Sequence, residues 1–180
     1  MNRCCEVRLA GAGGQGMGLA GVILAEAAMR EGRNVVHAQS YGPESRGGGS
    51  VSDVIISEDA IDYPRVRTPH VLLALTQQAC DGHWRAIRPG GLLVADLGRV
   101  RDLPCGDFRC VVLPMVATAR DVVKEVLTAN MVALGVIIAV SPVVGRDALE
   151  QAVAAGSPRG TAAVNLAAIG AGIELARAGA

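Results

Sequence analysis

Two short stretches of this chain hold residues whose types and spacing suit chemistry. The first is Gly11-Ala12-Gly13-Gly14-Gln15-Gly16, a GxGxxG pattern. Set between a strand and a helix, such a turn offers free backbone amides and a helix dipole to a phosphate. It also serves as a tight turn that brings helix and sheet close together, and both readings stand. The second is Tyr41-Gly42-Pro43-Glu44-Ser45-Arg46-Gly47-Gly48-Gly49-Ser50. Three glycines after Arg46 permit a backbone approach that a Cβ would block. Arg46 has the planar fork for a carboxylate or phosphate. Equally, Glu44 and Arg46 serve to order the loop or to pair with a partner chain.

The missing groups narrow the chemistry. A nicotinamide site of this type has an acidic residue about 20 residues beyond the glycines, on the second strand, to hold the ribose. That strand ends His37-Ala38-Gln39-Ser40-Tyr41, with no carboxylate before Glu44. The segment RAIRPGGLLVADLG, residues 85–98, has the helix, turn and strand of a Rossmann-type methyltransferase, but those enzymes need the same carboxylate. A stand-alone dehydrogenase or S-adenosylmethionine methyltransferase is therefore the weaker alternative. No P-loop lysine and no Ser/His/Asp grouping appear. Cys4, Cys5, Cys80, Cys105 and Cys110 form no CxxC pair, and His37, His70 and His83 are scattered. Even if Cys105 and Cys110 meet across a turn, a metal site would lack two ligands. No catalytic residue and no metal ligand is assigned.

The elements that must position the two loops follow from hydrophobic periodicity. Residues 6–10 read as a strand, 16–30 as a helix ending at Gly32, and 34–40 as a second strand. This is a βαβ unit, so its strands are expected to be parallel neighbours whose carboxyl ends aim both loops into one crevice. Further strands are expected at 51–57, 71–75, 92–96 and 109–113, with a helix over 77–87. Beyond Pro114 the pattern turns helical: 121–127, then 130–140 after a break near Ala129, 146–155 and 161–177. The predicted class is α/β, a Rossmann-like three-layer fold with a mostly parallel sheet and a helical C-terminal part. ANMVALG and VNLAAIG, 35 residues apart, each put an Asn before small residues and read as close helix packing.

Composition bounds the partners. Seventeen basic residues balance seventeen acidic ones, and the aromatic content is 2%. A nucleic-acid surface wants a basic stripe with aromatic platforms, so none is expected. The longest apolar run, Met131–Val140, is half of what a membrane span needs. With polar residues 1–8 in place of a signal peptide and an odd number of cysteines, a cytoplasmic chain with reduced thiols is expected. Residues 1–180 read as one domain. The charge-poor helices between Met131 and Arg177 predict burial or cover by another subunit, a homodimer being the simplest outcome for the isolated chain.

GAGGQGMGLAGVILAEAAMREG followed by SYGPESRGGGSVSDVIIS resembles the gamma subunit of 2-oxoacid:ferredoxin oxidoreductases. The likeness continues through RPGGLLVAD, PMVATARDVVKEV, NMVALGVIIAV and VNLAAIGAG. It implies a complex that converts a 2-oxoacid, coenzyme A and oxidised ferredoxin into acyl-CoA, CO2 and reduced ferredoxin. Alpha and beta subunits, with delta as an optional fourth, would be the partners, and ferredoxin would dock on the complex. Thiamine diphosphate, Mg and the iron–sulfur clusters would sit in those partners, and the isolated gamma chain would be inactive. Gly11, Gly13, Gly14, Gln15, Gly16, Tyr41, Gly42, Pro43, Glu44, Arg46, Gly47 and Gly48 would line the coenzyme A and thiamine region or a subunit interface. The substrate would be 2-oxoglutarate, pyruvate or a branched-chain 2-oxoacid, with 2-oxoglutarate slightly preferred.

Overall fold

The computed structural model describes residues 4–42 and 48–179. Pro43, Glu44, Ser45, Arg46 and Gly47 lie outside the described residues. The strands are β1 (Cys4–Ala12), β2 (Asn34–Tyr41), β3 (Gly49–Ser57), β4 (Val71–Ala74), β5 (Gly91–Asp96) and β6 (Phe108–Leu113). The helices are α1 (Met17–Arg30), α2 (Gln77–His83), α3 (Met115–Thr118), α4 (Ala129–Val140), α5 (Arg146–Gly156) and α6 (Ala162–Ala178). The strands form one sheet in the order β2-β3-β1-β4-β5-β6.

β1, β4, β5 and β6 run parallel, as the strand–helix alternation predicts. β4 and β5 are buried at every position, because helices or loops cover both of their faces. The other half of the sheet corrects the expectation. β2 points the same way as β1 but is not its neighbour, because β3 lies between them and is antiparallel to both. Burial explains the order. β3 buries Val54, Ile55 and Ile56 and belongs inside the sheet, whereas β2 is largely exposed and polar and suits the edge.

Alternate residues of the strands feed two cores. Val7, Leu9, Val54, Ile56, Leu73 and Val94 pack under α1, α4, α5 and α6. Ala10, Leu72, Ala74, Leu93 and Ala95 pack under Ala79 and Cys80 of α2 and under Val100. α4 is buried from Ala129 through Ile137, so this part of the charge-poor segment is covered within the chain. α6 does the covering. A Cβ on Gly135 would fall 2.2 Å from the Ile169 carbonyl oxygen, and one on Gly172 would fall 2.0 Å from that of Val132. The two small-residue segments noted in the sequence are thus the two sides of one close helix contact.

The helix expected over 121–127 is replaced by two short turns that follow α3. α3 is pinned by Asp96, whose Oδ2 accepts the amide of Val116 at 2.8 Å. A π-helical turn follows at Ala119–Val123, then Lys124 in a left-handed conformation (φ 65°), then a 3-10 turn at Val126–Thr128. Val122, Val126 and Leu127 all stand exposed, so no buried stripe holds this segment in a regular helix. No helix among the described residues is long and apolar enough to cross a membrane.

The α4–α6 contact sets two effects against each other. Alanine is favoured over glycine in a helix by about 1 kcal/mol, whereas overpacking against backbone costs about 1–3 kcal/mol. Because the atom that a Cβ on Gly172 would meet is backbone, the second effect should win. Gly172→Ala should lower the unfolding free energy measured in urea; an unchanged or raised value would mean that the helices have room to spare.

Candidate functional site

The glycine turn is held from three directions. Gln15 folds back on the end of β1: its amide donates to the Ala12 carbonyl at 3.1 Å, and its Oε1 accepts the Ala12 amide at 2.7 Å. This leaves no space above Gly11, where a Cβ would lie 2.6 Å from Gln15 Oε1. The Gly13 amide donates to the Gly48 carbonyl at 2.7 Å, which ties the turn to the second glycine-rich loop. From the far side, Asn130 at the start of α4 donates Nδ2 to the Gly16 carbonyl at 2.9 Å, and its Oδ1 accepts the Met131 amide at 2.9 Å. Gly14 (φ 87°) and Gly16 (φ 71°) occupy the left-handed region, so glycine is required there for conformation.

The two loops do converge, by a route other than the one the sequence suggested. They are not the ends of two parallel neighbours. The second loop joins β2 to β3, and β3 begins where β1 ends, with Gly49 opposite Ala12 and Ser50 opposite Gly11. The Gly42 amide closes that loop onto the Gly49 carbonyl at 2.7 Å, and Tyr41 is exposed. The structure thus brings Gly11, Gly13, Gly14, Gln15, Gly16 and Gly48 together, with Tyr41 and Gly42 alongside. Pro43, Glu44, Arg46 and Gly47 remain outside the described residues.

Beside the turn lies a cleft of about 200 Å3 between the sheet and α2, lined by Gly11, Gly49, Val51, Gln78, Gly82 and His83 among others. The sheet changes direction at β1: the chain passes first to β2 and β3 on one side of it and then crosses to β4 on the other. Ligands of α/β sheets bind at such switch points, beyond the carboxyl ends of the strands. Gly49 and Gly82 have open space where a Cβ would stand. α1 starts from the same glycine turn but packs on the other face of the sheet; among the described residues it has no side-chain cap and no acidic residue in its first turn.

The floor of the site is polar and rigid. Arg8 and Asp53 face each other across β1 and β3 and form two hydrogen bonds of 2.7 Å, and Arg8 also donates to the Val66 carbonyl at 3.1 Å. Burial, and then the charge of Arg8, hold His83 below the ordinary imidazole range, so it meets the cleft neutral at pH 7. On the α1 face, His37 Nε2 and Ser52 Oγ are 2.8 Å apart beneath Gly21, and burial lowers this imidazole too. Burial pushes the Cys80 thiol up to about 11, which leaves it unreactive at neutral pH. Among the described residues, no three His, Cys, Asp or Glu side chains gather as a metal site would require. The arrangement can bind and position a ligand, but the described residues place no acid–base pair at the cleft.

Residues 6–175 match the family model described as pyruvate ferredoxin/flavodoxin oxidoreductase. The chain belongs to this family. The 2-oxoglutarate synthase subunit KorC of Methanocaldococcus jannaschii is 39% identical over 175 residues, covering 96% of this chain and 94% of that one. The keto/oxoacid ferredoxin oxidoreductase gamma subunit of Geobacter sulfurreducens superposes with a TM-score of 0.89 at 42% identity, over 98% of each chain. The 2-oxoglutarate:ferredoxin oxidoreductase of Magnetococcus marinus, solved with 2-oxoglutarate, coenzyme A and succinyl-CoA bound, superposes with a TM-score of 0.86 at 26% identity. That match covers 99% of this chain and 32% of the other. Within the family the chain is of the gamma-subunit type. The stand-alone dehydrogenase or methyltransferase is set aside, and the sheet adds a reason. With β3 beside β1, no parallel second strand stands where a ribose-binding carboxylate would be placed.

Asn130 is the site residue that sequence reasoning missed. Its signal was the repeated Asn before a small-residue helix, read there as packing alone. Asn165, at the matching position, serves a local role, donating to Ser157 Oγ at 2.9 Å. Gly16 is half-buried and its carbonyl also accepts the Ala20 amide at 3.0 Å, so replacing Asn130 removes one of two donors, a loss of about 0.5–1.5 kcal/mol. Asn130→Ala should lose that much stability by urea denaturation. A loss under about 0.5 kcal/mol, the usual size of a neutral surface change, would mark the contact as incidental.

Proposed function

We propose that this chain is the gamma subunit of a thiamine-diphosphate-dependent oxidoreductase that converts 2-oxoglutarate, coenzyme A and oxidised ferredoxin to succinyl-CoA, CO2 and reduced ferredoxin. The observation that carries the reading is a pinned glycine turn beside an open cleft with no catalytic pair among the described residues. Such a site positions a reactant for chemistry performed elsewhere, and positioning alone lowers a barrier. The choice of 2-oxoglutarate is supported by the names of the Methanocaldococcus and Magnetococcus proteins.

The residues present fit part of coenzyme A. The uncapped amides of α1 suit a phosphate, and the open backbone at Gly49 and Gly82 suits a narrow chain. At about 200 Å3 the cleft is too small for the whole molecule, so a partner subunit would hold the remainder. The described residues do not fit thiamine diphosphate with its Mg, or an iron–sulfur cluster, because no carboxylate or cysteine set converges. Those groups are assigned to the alpha and beta subunits, with delta where present. The matched region is about a third of the Magnetococcus chain, so the rest of that polypeptide indicates the kind of partner expected. Exposed Val122, Val126 and Leu127, just before Asn130, offer apolar surface beside the turn for such a partner. Within the assembly this chain binds and orients; alone it is inactive with 2-oxoacid, coenzyme A and an artificial electron acceptor.

Reconstitution with the alpha and beta partners tests the assignment. Gly82→Leu projects a side chain into the cleft from a position where nothing lies within 4 Å of the added Cβ. It should leave the melting temperature of the isolated chain at or above the wild-type value and raise the KM for coenzyme A about tenfold, equivalent to ~1.4 kcal/mol of binding. Unchanged kinetics would place coenzyme A away from this cleft.

Arg46 belongs to the loop whose described ends, Gly42 and Gly48, are bonded to Gly49 and Gly13. As the loop's charged fork it is assigned to a coenzyme A phosphate or a partner carboxylate, a charge-assisted contact of about 1.5–3 kcal/mol. Arg46→Ala should cut the activity of the reconstituted complex about tenfold or more. Arg46→Lys should recover part of it, because an ammonium lacks the fork. Full activity of Arg46→Ala would make the residue a bystander, and a large fall in melting temperature would make it structural.

A further inference from the structure

A larger cavity lies at the opposite end of the sheet from the glycine turn. His70 immediately precedes β4, Gly91 opens β5 and Arg109 is the second residue of β6, so these residues meet at the amino ends of three parallel strands. With Arg88, Gly90 and Ser141 they help to line a space of about 510 Å3, within the range of small-molecule sites. Its charged lining is two guanidiniums, and no carboxylate is among the lining residues. Glu6, whose charge reaches His70, has its carboxylate engaged: Oε2 accepts the amides of Arg67 at 2.8 Å and Thr68 at 3.0 Å. Arg109 gives Nη2 to the Val140 carbonyl at 2.7 Å, and its other N–H groups make no hydrogen bond among the described residues.

The hydrogen bonding of His70 calls for one more acceptor. Its Nδ1 takes the Glu6 amide at 3.0 Å, and its Nε2 touches Nη1 of Arg88. Both neighbours are obligate donors. A neutral imidazole has one acceptor nitrogen and a cationic one has none, so in every protonation state one of these contacts sets donor against donor. With Nδ1 committed to the amide, the Nε2–H and the Arg88 guanidinium confront each other at the wall of a cavity that carries no negative charge. An anion seated there accepts from both and relieves the conflict.

We propose that this cavity binds the phosphate or diphosphate group of a small metabolite, held by Arg88 and Arg109 with the Nε2–H of His70 as third donor. Two guanidinium forks and a further N–H match the several oxygens of a phosphate, whereas a single carboxylate would satisfy one fork only. The site is separate from the glycine cleft and stands whether or not coenzyme A binds there.

Calorimetric titration of the full chain with pyrophosphate at constant ionic strength tests this. One saturable site is expected. Arg88→Gln and Arg109→Gln should each weaken it about tenfold or more, a loss of ~1.4 kcal/mol. Arg88→Lys, which keeps the charge but not the fork, should still bind less tightly than wild type and serves if Arg88→Gln fails to fold. Arg159→Gln, in an exposed loop remote in sequence from the cavity, should bind like wild type. The proposal is overturned by the absence of saturable binding, or by equal weakening in Arg159→Gln, which would reduce the effect to net charge. Binding that survives Arg88→Gln and is lost in Arg46→Ala would place the anion at the glycine turn and overturn it as well.

Discussion

The hydrogen bond from the Gly13 amide to the Gly48 carbonyl joins two loops that the chain separates by a helix and a strand. It forms only because β3 lies against β1 in a register that sets Gly49 opposite Ala12. That register aligns the Arg8–Asp53 pair under the cleft and fixes where the second loop begins and ends. Asn130 completes the constraint by holding Gly16 from the helical side. Three separate parts of the fold therefore converge on one six-residue turn. A shift in any of them would move backbone amides by a good fraction of an ångström, enough to spoil a phosphate or thioester contact.

Glycine serves two different purposes here. Gly14 and Gly16 are set by backbone conformation, in a region that a side chain disfavours. Gly135 and Gly172 are set by space, since α4 and α6 approach until a Cβ would strike the facing backbone. The second use explains how an aliphatic chain with four aromatic residues fills its interior. Small side chains let helices come close, and backbone contact replaces the volume that large rings would have supplied.

The two ends of the sheet differ in charge. At the carboxyl end the site is built from backbone amides and a neutral imidazole above a paired arginine and aspartate, with little net charge among the described residues. At the amino end Arg88 and Arg109 face a cavity with no acidic lining. A chain with zero formal net charge thus carries a local positive field, which composition conceals because it averages over the whole surface.

The sequence by itself determined the element types, the glycine turn opening α1, the lack of a ribose-binding carboxylate and the family. These rest on local periodicity, backbone preferences and a motif read within a few dozen residues. It misjudged 121–127, where the expected helix would have had no buried face to stabilise it. Tertiary structure alone decided that β3, rather than β2, lies beside β1, because a strand buried on both faces competes better for the interior than a polar one. It alone brought Asn130 to Gly16 across 114 residues, and His70 to Arg88 and Arg109 across three strand ends. Contacts of that separation leave no periodic trace in a sequence; they exist only once the sheet order and the helix crossings have been chosen.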